Sequence, residues 1–224
     1  MRVADLNWMQ LEACLGGDDR IVLPLGSTEQ HAYLSLATDV ILAERVAVEA
    51  AEPLGVPVLP PLAFGVAPYF AAFPGSLTLR EETYTQVLRE LIAALRGQGF
   101  GRILLVNGHG GNSEPAAAAL SRGVALHDWW RGPRTLAAVH ALDPDASHAS
   151  WMENLPWTRL AGVELPAGHK DPAPRLSDDP AAVRRELGDG SYGGDYERPD
   201  EEVLRVWATG VEETREALVS LSAS

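Results

Sequence analysis

Three stretches of the chain repeat their apolar residues every three to four positions, the spacing that lines one face of an α-helix. In VILAERVAVEAAEPLG (40–55) the stripe is Ala43, Val46, Ala47, Ala50, Ala51 and Leu54. In EETYTQVLRELIAALRGQG (81–99) it is Tyr84, Val87, Leu88, Leu91, Ile92 and Leu95, with Gly97 and Gly99 placed to end it. In PDEEVLRVWATGVEETREALVSL (199–221) it is Val203, Val206, Trp207, Gly210, Val211 and Leu218. Pro199 and three acidic residues mark the start of this last helix, where the helix dipole favours negative charge.

Between the helical stripes lie four short apolar runs: RIVLPLG (20–26), VPVLPPLAFG (56–65), RILLVNG (102–108) and RTLAAVH (134–140). Each reads as a strand, and strands alternating with helices predict βαβ units and a mostly parallel sheet covered on both faces. Such sheets hold ligands in the crevice at the carboxyl ends of their strands. STEQH (27–31) follows the first run and NGHGGN (107–112) follows the third, so polar groups stand where that rule places a site. Asn112 is positioned to cap a helix begun by SEPAAAALSRGVALHDWW (113–130). DPDASHASWMENLPWTRL (143–160) has room for a short helix. The rest, to Pro199, is a Gly-, Pro- and Asp-rich excursion of the length expected of a functional or partner-contacting loop. No internal repeat or second domain is evident, and 224 residues suit one α/β domain over 1–224.

Charge narrows the partners. Lys plus Arg number 18 against 31 Asp plus Glu, a net −13, which opposes binding to nucleic acid. Cys14 is the only cysteine, which excludes an intrachain disulfide and a cysteine-based metal site. The opening MRVADLNWMQLEACLGG lacks a basic stretch followed by an apolar run, and no apolar stretch approaches a bilayer span. The expectation is a cytoplasmic protein with no membrane contact.

Glu29 and His31 are two apart, so in extended backbone both project to one side. Singly each reads as a solvated loop residue, and Asp39 beside Thr38 as a helix-start acid. Together they put two carboxylates and an imidazole at one strand end. Gly108, Gly110 and Gly111 around His109 permit close backbone approach, which suits a ligand held on a tight turn. His148 and Glu153 follow in DPDASHASWMEN, while His127, His140 and His169 have no such context and read as structural. Two histidines and three carboxylates without cysteine form an O/N ligand set suited to Zn²⁺ or Mn²⁺. Five ligands exceed the need of one tetrahedral zinc and suit two metals about 3.5–4 Å apart that share a carboxylate and a water or hydroxide. Such a pair is the chemistry of amide hydrolysis.

GSTEQH…TD (26–39), NGHGGN (107–112) and HASWMEN (148–154) resemble, in order, the motifs of the creatininase, or creatinine amidohydrolase-like, family. FPGSLTL (73–79) and GSYGGD (190–195) are lesser echoes. The resemblance implies a three-layer α/β/α fold with a mostly parallel central sheet. It implies two divalent ions (Zn²⁺ and/or Mn²⁺, with Fe²⁺ an option) on Glu29, His31, Asp39 as the bridge, His109 and Glu153, with His148 shuttling a proton to the leaving nitrogen. In creatininase itself the fifth ligand lies two residues past the NGH histidine, where this chain has Gly111; other members supply the Glu that falls on Glu153.

The usual loop, EQHGPHLPLGTD, is one residue longer than EQHAYLSLATD here and carries a second histidine. Trp129, Trp130, Trp151 and Trp157 are the tryptophans on offer for the pocket. The expected activity is hydrolysis of a small non-peptide amide, possible forms being a cyclic amide or a formamide, through a metal-bound hydroxide. The alternatives are a peptidase of the mycofactocin-associated type and a non-catalytic, metal-stabilised binding or assembly protein. The resemblance also implies a homo-oligomer, a hexamer or a dimer.

Overall fold

The computed structural model describes residues 1–173 and 177–221; residues 174–176 of the long excursion and the last three residues lie outside that description. The order is α1 (Trp8–Leu15), β1 (Arg20–Leu25), α2 (Thr38–Ala51), α3 (Glu81–Gln98), β2 (Arg102–Asn107), α4 (Ser113–Ala117), β3 (Val124–Asp128) and α5 (Pro133–Leu142). It ends with β4 (His169–Lys170), α6 (Pro180–Leu187), β5 (Gly194–Asp195) and α7 (Asp200–Val219).

β1, β2 and β3 form a parallel sheet in that order, with Arg20 beside Arg102 and Leu25 beside Asn107. Alternation along the strands sorts the core into two layers. Val22, Leu104 and Val106 face α2 and α7, while Ile21, Leu23, Leu25, Ile103 and Leu105 face α3. The result is the expected three-layer α/β/α arrangement, each fully buried Leu or Ile contributing roughly 1.5–3 kcal/mol. Among the described residues no helix is long and apolar enough to cross a membrane.

Five local expectations change. RTLAAVH is not a strand: residues 134–140 lie within α5, which begins at Pro133, and the buried Thr135 and Val139 are one helical turn apart. The strand at this position is β3, from within the segment read as a helix after Asn112, whose helical part stops at Ala117. VPVLPPLAFG makes only isolated parallel bridges, Val58 to both Arg2 and Val22, and Leu62 to Leu25, since its prolines cannot donate to a ladder. Asn112 does not cap α4; its side chain accepts from Val66 N and donates to the Gly26 carbonyl, tying the two polar turns together. Gly97 lies inside α3, and Gly99, at φ 110°, is its C-cap.

Candidate metal centre

The carboxyl ends of β1 and β2 are kept narrow by glycine. A Cβ on Gly26 would sit 2.6 Å from the Cα of Val40, and one on Gly108 would sit 2.7 Å from the Asp39 carbonyl oxygen. The first turn of α2 therefore rests directly on both strand ends and delivers Asp39 between them. The loop after β1 closes through Glu29 N to the Leu36 carbonyl at 2.9 Å, bringing Glu29 and His31 back over the same point. Gly111 is also required by space, because a Cβ there would lie 1.9 Å from the Val66 carbonyl oxygen and 2.8 Å from His109 Nε2. Its absence lets that carbonyl reach His109.

Glu29, His31, Asp39, His109, His148 and Glu153 come together in one cluster. Glu29, His31, Asp39 and His109 are buried, and the other two are nearly so. Asp39 stands in the middle with its two oxygens turned apart: Oδ1 lies 2.9 Å from His31 Nε2 and Oδ2 lies 3.0 Å from His109 Nδ1. His109 Nδ1 is also 3.2 Å from Glu29 Oε1, and His31 Nε2 is 3.8 Å from Glu153 Oε2. Each histidine has its second nitrogen anchored on a carbonyl, His31 Nδ1 at 3.2 Å from Glu29 O and His109 Nε2 at 3.0 Å from Val66 O. An N–H donated to that carbonyl turns the lone pair of the other nitrogen toward the carboxylates, the arrangement that orients histidine as a metal ligand.

The electrostatics of the protein groups alone are unbalanced. Burial opposes a charge on His31, yet Asp39 overrides it and raises the imidazolium pKa to about 10. Burial also opposes charge on His109, and Glu29 with Asp39 lifts it well above its ordinary value. Burial pushes Glu153 up to about 7, partly relieved by His31. Burial lowers the His148 pKa well below the usual histidine value, and the neighbouring His31 adds to that. Glu29 Oε1 and Asp39 Oδ2 are fully buried and accept no well-directed hydrogen bond, although His109 Nδ1 is close to both. Two orphaned carboxylate oxygens beside two oriented imidazoles fit divalent-cation binding.

Gln30 is neither titratable nor a typical metal ligand, so its sequence position carries no signal of the role it has here. Its side-chain Nε2 lies 2.9 Å from His148 Nε2, and its backbone carbonyl lies 3.0 Å from the same atom. One residue thus offers His148 a donor and an acceptor, so either tautomer keeps a partner at Nε2 while Nδ1 faces Glu29 Oε1 at 4.0 Å. Gln30 is fixed in turn by Ala32 N and the Gly190 carbonyl. A Cβ on Gly190 would fall 1.8 Å from Gln30 Oε1, which gives the GSYGGD segment its place against the site.

The cluster floors a cavity of about 340 Å³. Phe70 stacks on His148, with centroids 4.8 Å apart and planes 21° apart, and Tyr192 lies 5.0 Å from the same ring. Of the four tryptophans proposed for the pocket, Trp130 lines it; Trp129 and Trp151 are core residues, and Trp157 packs against that core. Ala32 and Ala149, each directly after a site histidine, have φ of 49° and 59°, backbone that costs a non-glycine residue about 1–2 kcal/mol.

The family model described as creatininase, creatinine amidohydrolase, matches residues 4–204. The chain belongs to the creatininase family. Among curated relatives, the creatinine amidohydrolase of Pseudomonas putida is 34% identical over 118 residues, 50% of this chain and 45% of that protein. The mycofactocin precursor peptide peptidase of Mycolicibacterium smegmatis is 37% identical over 108 residues, 45% of this chain and 43% of that protein. The matched part is less than half the length of either relative. Two solved creatininase structures, one described as Zn–Zn type and one as the Mn form, each match with a TM-score of 0.78 at 24% identity, covering 97% of this chain and 96% of their own. That likeness establishes the creatininase fold for the whole of the layered architecture described above.

Proposed function

We propose that this creatininase-family chain is a metal-dependent amidohydrolase that cleaves a non-peptide C–N bond of a small molecule. Two divalent ions, Zn²⁺ or Mn²⁺, would be held by Glu29, His31, Asp39, His109 and Glu153, with Asp39 central among these ligands. The observation that carries this reading is Asp39, buried at the centre with one oxygen turned to each histidine and Oδ2 orphaned. When bound there, such ions lower the pKa of a water and polarise a carbonyl, which supplies a nucleophile at neutral pH.

The remaining work falls to the chain. His148, kept neutral by burial, would take up at Nδ1 the proton lost by the attacking water and pass it to the leaving nitrogen as the C–N bond breaks. Gln30 holds His148 Nε2 in either tautomer, and the stacked Phe70 ring fixes the plane of the imidazole. The aromatic walls and modest cavity suit a small substrate more than a long peptide. The relative described as a mycofactocin precursor peptide peptidase supports a second reading, cleavage of a peptide.

His109→Ala tests the assignment. Elemental analysis of the purified variant should show lost metal, and binding should weaken by more than the roughly 10–100-fold typical of residues that merely support ligands. Turnover across a panel of cyclic amides, formamides and short peptides should fall with it. Full metal content and unchanged turnover in that variant would sink the assignment.

A further inference from the structure

Arg131 is the only Lys or Arg among the described residues that line the cavity. It lies in the short turn between β3 and α5, next to Trp130, and its side chain is 58% exposed. Among the described residues its guanidinium has one charged partner, Asp128 at 3.6 Å, and a loose contact 5.6 Å from the Trp130 ring centroid. Asp128 is already engaged, its Oδ1 accepting from Asn107 Nδ2 at 2.8 Å and its Oδ2 from Ser113 Oγ at 3.0 Å. Asp128 therefore tethers Arg131 without consuming its donors. A guanidinium has five N–H groups in a planar fork, matched to the two oxygens of a carboxylate.

We propose that Arg131 recognises a carboxylate on the substrate, so that the natural substrate is an amide bearing a carboxylate group. This rests on the amidohydrolase reading and names its substrate class. Val66, Tyr69, Phe70 and Leu136 line the same cavity, and a carboxylate offers the guanidinium two acceptor oxygens and an opposite charge where a neutral amide offers one carbonyl oxygen. Arg131 also lines an adjoining groove together with Glu81 and Glu114, whose carboxylates disfavour an anion there. The carboxylate would sit at the mouth under Arg131 while the scissile amide reaches the cluster on the floor.

The test compares matched substrates on the metal-loaded protein. Succinamate and glutaramate carry a carboxylate; succinamide and glutaramide replace it with a neutral amide of the same shape. The wild-type protein should prefer the carboxylated member in kcat/KM, and Arg131→Gln should lower that preference about 10–100-fold, the range of one charge-assisted hydrogen-bonded contact. The loss should appear in KM more than in kcat, with Arg131→Lys recovering part of it. An unchanged preference ratio in Arg131→Gln would overturn the proposal.

If none of the four is hydrolysed, calorimetric titration with glutarate separates the two ideas. Binding to wild type that weakens at least about 10-fold in Arg131→Gln supports anion recognition and leaves the fault with the amidohydrolase reading. Equal binding by both proteins, or none by either, overturns the role of Arg131. A circular dichroism spectrum like that of wild type establishes that the variant is folded.

Discussion

At the amino ends of β1 and β2, Arg20 and Arg102 stand side by side and meet Asp18 and Asp19. At the carboxyl ends of the same strands, Glu29 and Asp39 meet His31 and His109 with no Lys or Arg among the described residues of the cluster. The first group is half-exposed, neutral in sum and satisfied: Asp18 accepts from both arginines, at 2.6 and 2.9 Å. The second is buried, rich in carboxylate and leaves two oxygens without a donor. Two short strands thus carry one charge cluster that closes on itself and one that asks for a ligand. Charge alone does not separate them; burial and unsatisfied oxygens do.

The strongest way to break this contrast is Asp39→Asn. An amide cannot be shared between two cations as a carboxylate is, and its NH₂ would point at one histidine. Activity should fall by about 10³-fold or more if the site works as proposed. The stabilising Tm shift expected on adding Zn²⁺ or Mn²⁺ to the wild type should be largely lost in the variant, because a ligand stabilises only what it binds. Thermal melts with and without metal measure this directly. A variant that kept both the metal-dependent shift and the activity would make the carboxyl end another structural cluster.

The same contrast explains what was legible in the sequence. The three long helices announced themselves by their stripes, and β1 and β2 by apolar runs ending in polar turns. β3 and α5 were exchanged because VALHD and RTLAAVH are both short, and a run of that length does not distinguish strand from buried helix. The meeting of Glu29, His31 and His109 was legible because two-residue spacing and a glycine-rich turn constrain local geometry. Gln30 and the Val66 carbonyl were not, because their roles depend on partners dozens of residues away. Ala32 is a finer case: its φ of 49° marks a backbone position where the family's usual glycine would be unstrained.

Glu213 sharpens the comparison as a third setting, a buried carboxylate that is fully satisfied. From α7 it reaches the start of α5 and accepts from Arg134 N at 2.9 Å, Thr135 N at 2.9 Å and Thr135 Oγ1 at 2.6 Å. It is a helix cap supplied by another helix, and a Cβ on Gly132 would lie 2.2 Å from its Oε2. Burial opposes its charge, but the Thr135 hydroxyl and the two N–H groups prevail and hold its pKa below 4.5. Glu213→Gln should cost about 2 kcal/mol at neutral pH, with metal content retained. Because the folded-state pKa is depressed, this stabilisation is present in full above the unfolded value near 4.5 and fades as pH falls through the lower folded value. Denaturant midpoints of wild type and variant should therefore converge on acidification. A gap that stays constant below pH 4 would mean that the Glu213 charge is not what caps α5.

The smallest expected effect lies at the amino end. Arg102→Met keeps the apolar stem against the strand and removes the guanidinium that reaches both Asp18 and Asp19. The side chains of this cluster are 16–37% exposed, so water takes over much of what the ion pairs supplied. Arg20 remains on Asp18, with Nη2 2.6 Å from Oδ2 and Nε 2.9 Å from the same oxygen, so only Asp19 loses its arginine. The cost should be about 0.5–1 kcal/mol, shrinking further at high salt, where exposed charges are screened. Denaturant melts at low and high ionic strength read this, and the metal-dependent Tm shift should match that of wild type. A loss above about 3 kcal/mol, the scale of breaking a buried pair, would show that water shields the amino-end cluster no better than the carboxyl-end one. The contrast between the two ends would then rest on the orphaned oxygens alone.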